Sequence, residues 1–167
     1  GDSLVAVAFA SGRSARAITA GSNHTCALLA NASVVCWGRG TYGQLGQGAT
    51  ANIGHSGSAT VASTPAIDLG SGRTALALSA GDAHTCAILD NATVKCWGSG
   101  GNGRLGSGAT NNLGDGASEM GNSLAVVDLG SGRTARAISA GIAHTCAVLD
   151  NSTVKCWGNG AYGKLGY

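Results

Sequence analysis

The feature that most constrains this chain is a repeat of 60 residues. The tripeptide Ser-Gly-Arg occurs at residues 11–13, 71–73 and 131–133. When residues 71–106 are aligned with residues 131–166, 27 of the 36 positions are identical. Such self-similarity is typical of a tandem array in which each copy packs against its neighbours. We therefore expect one repeat array with units at approximately residues 1–60, 61–120 and 121–167, the last one incomplete.

The composition favours a thin architecture with many turns. Hydrophobic residues make up 44% of the 167 residues, but aromatic residues only 4%, and there are 29 glycines and one proline. Much of the apolar fraction is alanine, so little side-chain volume is available to fill a deep interior. Local packing between short elements is expected instead of one large core.

Each copy is predicted to contain four short strands. In the second copy the strand-like segments are residues 74–80, 85–89, 93–97 and 124–128, separated by turns and a glycine-rich loop. No amphipathic stretch of about eleven residues lacks a glycine or a turn, so helices are not expected. Four short strands per repeat, separated by glycine-rich turns, are typical of a propeller blade or a β-solenoid coil. The expected fold class is all-β, with about three four-stranded repeats of 60 residues.

Each copy carries two cysteines with nine residues between them, on either side of a predicted hairpin turn. With a three-residue turn at residues 90–92, Cys86 faces Cys96 and Ile88 faces Val94. Opposed Cα atoms in such a hairpin, about 4.5 to 5.5 Å apart, lie within the range that a disulfide accepts. The register therefore predicts three disulfides, which join Cys26 to Cys36, Cys86 to Cys96 and Cys146 to Cys156.

A metal site is the alternative interpretation, because a histidine lies two residues before the first cysteine of each copy. Zinc sites normally show two closely spaced ligand pairs, and the sequence has none. We therefore expect no metal and no other cofactor. His24, His84 and His144 are interpreted as structural residues that bond to backbone groups inside their own blades.

Three N-glycosylation sequons lie in register on the predicted hairpin turns. Their acceptors are Asn31, Asn91 and Asn151, and a fourth sequon begins at Asn23, next to a predicted strand. Acceptor asparagines must be exposed, and glycosylation and disulfide formation both belong to the secretory route. The cysteines and the sequons together predict an extracellular or cell-surface protein.

The copies also resemble a known repeat. The second copy reads Ala-Gly-Asp-Ala-His-Thr-Cys-Ala at residues 80–87, Val-Lys-Cys-Trp-Gly at 94–98 and Gly-Arg-Leu-Gly at 103–106. Its counterparts in the other copies lie at residues 21–25, 37–38 and 42–46, and at 141–145, 157–158 and 162–166. This pattern is similar to repeats of the regulator-of-chromosome-condensation-like β-propeller superfamily. The resemblance implies four-stranded blades, usually seven to a ring, so this chain would form part of a propeller.

Other branches of that superfamily fit less well. The plant ultraviolet-B photoreceptor branch has Trp and Arg where this chain has Ser22 and Asn23, so photoreception is not expected. The nucleotide-exchange and chromatin-binding branch works in the nucleus, where disulfides would be reduced. A net charge of +2 without a basic stripe argues against a nucleic-acid partner. No apolar run approaches the roughly 18 residues of a membrane span, so membrane insertion is not expected either.

No constellation of catalytic residues is recognisable. Ser3 lies in an esterase-like Gly-Asp-Ser-Leu motif but has no Asp-x-x-His companion, and the Gly-x-Gly-x-x-Gly spacing at residues 101–106 is followed by a loop. The sequence therefore predicts a non-catalytic structural or adhesive glycoprotein module. The alternative is a lectin-like or inhibitor-like module that binds a ligand through loops 39–66 and 99–123.

The expected partners are other protein chains or further copies of the same repeat, with glycans as a further possibility. Three blades cannot bend into a ring, because propellers typically need at least four. An open array leaves a blade face uncovered at each end. We therefore expect the array to be part of a longer protein or to pack end to end with other copies.

Overall fold

The computed structural model describes residues 3–55 and 59–167 and shows an all-β fold. In this part of the chain, nine strands form three antiparallel sheets of three strands each, with the strands of each sheet in sequence order. The strands are β1 Ala15–Ala20, β2 His24–Leu29, β3 Val34–Gly38, β4 Ala75–Ala80, β5 His84–Leu89, β6 Val94–Gly98, β7 Ala135–Ala140, β8 His144–Leu149 and β9 Val154–Gly158. We call each sheet with its following loop a blade and number the blades from first to third.

The predicted hairpin register is confirmed. Cys86 pairs with Cys96 and Ile88 with Val94, and the first and third blades have the same register. In each three-residue turn the last residue has a positive φ, although it is an alanine or a serine, and the asparagine before it does not. The last residues are Ala32, Ala92 and Ser152, with φ of 62°, 60° and 67°.

The predicted fourth strand, residues 124–128, is not a regular strand. This extended segment makes one backbone bond to the outer strand of the second blade, from Val127 N to Val94 O at 2.8 Å. The equivalent bond of the previous copy joins Ile67 N to Val34 O, also at 2.8 Å. The 3-10 turn Gly121–Ser123 precedes the segment, and the Asp128 carboxylate caps the turn that follows it. Because only this one backbone bond joins it to β6, the segment does not form a regular strand.

The core lies between successive blades. The face of the first blade that carries Cys26 and Cys36 packs against the second blade, and the face that carries Cys86 and Cys96 packs against the third. The large buried side chains include Leu28, Leu45, Leu89 and Trp97 in the first interface and Ile88, Leu105, Leu129 and Leu149 in the second. Burying a side chain of this size contributes about 1.5–3 kcal/mol. Each blade is therefore stabilised mainly by its neighbours.

Across residues 3–55 and 59–167, none of the short helical turns has the length and apolarity needed to cross a membrane.

Candidate functional site

A chain of hydrogen bonds crosses each interface between blades. At the second interface, His84 Nε2 lies 2.9 Å from Thr145 Oγ1, and that hydroxyl donates to the Arg104 carbonyl at 2.9 Å. Trp157 Nε1 donates to the same carbonyl at 3.0 Å. The first interface repeats this arrangement with His24, Thr85, Gln44 and Trp97 at 2.8, 3.1 and 3.1 Å. We call each set of four residues an interblade relay.

The relay fixes the protonation of the imidazole. The threonine hydroxyl has one proton, which it donates to the backbone carbonyl, so the histidine must donate from Nε2. Nδ1 is then the unprotonated nitrogen of His24 and His84. In the described residues, the Nδ1 atoms of His24, His84 and His144 are all buried without a hydrogen-bond partner. The expectation that His24 and His84 bond to backbone groups of their own blades is wrong, because their Nε2 atoms reach threonine side chains of the next blade.

Burial keeps these histidines neutral. His24 is 3% exposed and His84 is fully buried, and loss of hydration lowers the pKa of each to about 4. The positive charge of Arg104 lowers the pKa of His84 further, whereas the Asp82 carboxylate opposes the shift. A buried, neutral imidazole that is already a hydrogen-bond donor suits a structural role.

All six cysteines are paired as the hairpin register predicts. The disulfides join Cys26 to Cys36, Cys86 to Cys96 and Cys146 to Cys156. Their sulfurs are bonded to each other, so they are not available as thiolate ligands for a metal. In the described part of the chain, no three His, Cys, Asp or Glu side chains are grouped closely enough to hold a metal ion.

The three turn asparagines lie on the exposed ends of their hairpins. Each Oδ1 accepts a hydrogen bond at 2.7 Å from the hydroxyl two residues later, and one at 3.2 Å from that residue's backbone N. The donors to Asn31, Asn91 and Asn151 are Ser33, Thr93 and Thr153. Within the described residues no hydrogen bond involves the Nδ2 atoms, to which a glycan would be attached.

Asn23 has a different setting. It is exposed in the turn between β1 and β2, and its carbonyl accepts a hydrogen bond from Arg39 N. The next residue, His24, is buried, and Thr25 belongs to β2. The Asn23 sequon therefore runs into a strand with a buried residue, unlike the three sequons on the hairpin turns.

The described part of the first long loop borders a shallow depression. One of about 300 Å³ is lined by Trp37, Arg39, Asn52 and His55, among others. Tyr42 lies beside the Arg39 guanidinium, 5.4 Å from ring centroid to Cζ, and is 38% exposed. Tyr162 is fully exposed on the third blade. The structure does not bring the two tyrosines together in one binding surface.

A buried lysine was missed in the sequence analysis. The Lys95 ammonium donates to the carbonyls of Leu69 and Gly121 at 3.0 and 2.8 Å, and the residue is 6% exposed. Burial lowers its pKa. The equivalent residue of the first copy is Val35, which packs against Phe9 and Val61. The switch from valine to lysine at equivalent positions marks a change of environment, but it does not reveal the contact, because the equivalent Lys155 is exposed.

Comparison with known families identifies the repeat. A family model described as the regulator of chromosome condensation (RCC1) repeat matches residues 15–44, 76–104 and 135–164. A second model of the same description matches residues 32–88. Each of the first three segments contains the histidine, the cysteine pair and the tryptophan of one blade.

Three known proteins are similar to this chain over most of its length. The human E3 ubiquitin-protein ligase HERC2 is 29% identical over 154 residues, which cover 91% of this chain and 3% of HERC2. The structure of Prp20p from Saccharomyces cerevisiae has a TM-score of 0.67 at 23% identity and covers 90% of this chain and 34% of Prp20p. The ectodomain of the receptor kinase CR4 from Physcomitrella patens has a TM-score of 0.53 at 22% identity, over 89% of this chain and 31% of the ectodomain. This chain therefore corresponds to a minor part of each of these proteins.

Proposed function

This chain belongs to the RCC1-repeat family, and we propose that it is a non-catalytic, extracellular glycoprotein module with a structural or adhesive role. Its partners would be other protein chains or further copies of the same repeat. The observation that carries the proposal is the threefold combination of a disulfide and an exposed turn sequon on the same hairpin. Disulfides form and persist in oxidising compartments, and N-glycosylation belongs to the same secretory route.

The disulfides explain how blades with so few large side chains remain stable. Each closes a hairpin with a sequence separation of 10 residues. A loop of that size contributes about 3 kcal/mol by restricting the unfolded chain. Cytosolic proteins rarely use such bonds, because thiols are kept reduced there. The similarity to a receptor-kinase ectodomain supports an extracellular location for the same scaffold.

The chemistry of the site supports a binding module and not an enzyme. The relay histidines are buried, neutral and occupied by hydrogen bonds, and the cysteines are oxidised. The structure of Prp20p was described together with its binding to Gsp1p and histones, which supports protein binding as a use of this scaffold. We infer that this chain binds extracellular proteins and that it does not bind nucleic acid.

The test is to map modifications on protein isolated from its native source. After enzymatic removal of N-glycans, peptides that contain Asn31, Asn91 and Asn151 should show aspartate at those positions. Asn23 is expected to be modified less, because a buried histidine follows it. In a recombinant secreted protein, Thr93→Ala should abolish the glycan at Asn91 alone, and Thr110→Ala, which changes no sequon, should abolish none. Unmodified asparagine at all three turns of the native protein would contradict the glycoprotein assignment.

A further inference from the structure

A groove of about 300 Å³ lies between the first and second blades, where their two long loops meet. The loops are in close contact, because the backbone of Asp115 lies so near Gly43 that no side chain would fit there. The groove is lined by residues 46–48 of the first loop, by residues 66 and 68 of the extended segment that follows it, and by residues 117, 118 and 120 of the second loop. We call it the loop groove. Both of the blades that enclose it are present.

Three side chains of the loop groove have polar atoms that are free for a ligand. Asp68 Oδ1 accepts a hydrogen bond from Gly70 N at 2.8 Å, and Gln47 Nε2 donates to the Pro65 carbonyl at 3.2 Å. These bonds hold the two side chains in place. Within the described residues, Asp68 Oδ2, Gln47 Oε1 and Ser118 Oγ make no hydrogen bond. The groove therefore offers two oxygen acceptors and one hydroxyl group.

The charges around Asp68 select against an ion as the ligand. The Lys95 ammonium donates to the carbonyls of Leu69 and Gly121, and Gly121 N donates to the Asp68 carbonyl at 3.0 Å. The Asp68 carboxylate is near enough to raise the pKa of Lys95 against the effect of burial, and Arg73 adds a second positive charge. These charges offset that of the carboxylate, so a metal cation would gain little there. The residues that line the groove include no lysine, arginine or histidine, so an anion has no partner either.

We propose that the loop groove binds one ring of a neutral saccharide. Sugar hydroxyls donate to the Asp68 carboxylate and to the Gln47 amide oxygen, and they accept from the Ser118 hydroxyl. The volume is at the lower end of the range for ligand pockets, about 300–1,000 Å³, so it suits a single ring. The inference rests on the proposed adhesive role and deepens it, because it names a class of ligand to which the module adheres.

The test is saturation-transfer NMR of the secreted protein with the methyl glycosides of glucose, galactose, mannose and N-acetylglucosamine as separate probes. At least one glycoside should bind, with a dissociation constant of the order of 1 mM, because the groove is shallow and has no aromatic side chain in its lining. Asp68→Asn retains an oxygen that can accept from Gly70 N but replaces the free carboxylate oxygen by an amide donor. It should weaken binding about tenfold or more.

A second variant removes the hydroxyl without disturbing the fold. Ser118 has a φ of 68°, which glycine adopts readily, so Ser118→Gly should fold normally and bind the glycoside several-fold more weakly. The matched control is Ser152→Gly, at an exposed serine with a φ of 67° on the third hairpin turn, which should bind like the wild type.

Three outcomes would overturn the saccharide site. They are the absence of saturation transfer to all four glycosides, unchanged binding by both Asp68→Asn and Ser118→Gly, and displacement of the bound glycoside by calcium chloride, which would assign the groove to a cation. None of them bears on whether the hairpin asparagines carry glycans or the cysteines are paired, so failure of this site is distinguishable from failure of the proposed function.

Discussion

His84 Nε2 lies 2.9 Å from the hydroxyl of Thr145, which stands 61 residues later and on the next blade. The same distance along the chain separates His24 from Thr85, at 2.8 Å. A histidine at the start of the central strand of one blade is therefore satisfied only when the next blade is in place. The relays make the folding of neighbouring blades mutually dependent.

Thr85→Val tests the contribution of a relay. The substitution keeps the shape of the side chain but leaves the His24 Nε2–H donor buried without an acceptor, which costs about 1–3 kcal/mol. We expect a loss of this size in the free energy of unfolding measured by denaturant titration. Thr25→Val is the matched control, because the same residue type on the first blade makes no side-chain hydrogen bond within the described residues. At low protein concentration it should change stability by less than about 0.5 kcal/mol. Equal effects of the two substitutions would show that the relay adds nothing.

The relay histidines predict a loss of stability in mild acid. In the unfolded chain a histidine binds a proton near pH 6.5, but His24 and His84 bind one in the folded protein only near pH 4. Between these values the unfolded state holds more protons, so stability rises with pH and is complete above pH 6.5. From about pH 7 to about pH 5 we expect a loss of the order of 2 kcal/mol per histidine.

Two histidine variants test whether the buried His84 contributes to this pH dependence. Denaturant titrations across the same pH range should show that the free energy of unfolding of His84→Gln changes less with pH than that of the wild type. This holds even if the variant is less stable overall. His55→Gln, at an exposed residue of the first loop, should keep the wild-type dependence. If His84→Gln left the pH dependence of the free energy of unfolding unchanged, the loss of stability in acid would have to come from other groups.

The sequence predicts the fold because its local signals agree with one another. The three-residue turn of the hairpin predicts the pairing of Cys86 with Cys96, and the pattern of apolar segments predicts the three strands of each sheet. The apolar composition of the fourth segment also predicts a strand, which the structure does not show. Its apolar side chains instead pack between blades, with one backbone bond at Val127. The relays could not be predicted, because they join residues 61 positions apart whose proximity depends on how blades stack.

Substitutions of the buried Lys95 and of the equivalent, exposed Lys155 test what the buried ammonium contributes to stability. Lys95→Met would leave the carbonyls of Leu69 and Gly121 without their buried donor, and we expect a loss of about 1–3 kcal/mol in denaturant titrations. The equivalent Lys155 is exposed, so Lys155→Met should stay within about 0.5 kcal/mol of the wild type. A stable Lys95→Met variant would mean that the desolvation of the ammonium offsets its two hydrogen bonds.

The three disulfides should differ in their sensitivity to reductant. Cys26, Cys36 and Cys86 are fully buried and Cys96 is 2% exposed, whereas Cys146 and Cys156 on the third blade are partly exposed. Reduction requires a thiolate to reach a sulfur atom, so Cys146–Cys156 should open first under mild conditions and at low protein concentration. Differential alkylation followed by peptide mapping measures the order. Simultaneous loss of all three bonds would indicate that global unfolding limits their reduction.

The proposed extracellular role depends most on the redox compartment in which the protein works. The most direct measurement is the thiol content of the native protein, alkylated at the moment of harvest and then mapped by mass spectrometry under non-reducing conditions. An extracellular protein with these three bridges should show no alkylated cysteine and an intact mass lower by two hydrogens for each bridge. Alkylation of both cysteines of each hairpin in freshly harvested material would place the protein in a reducing compartment and contradict the extracellular assignment.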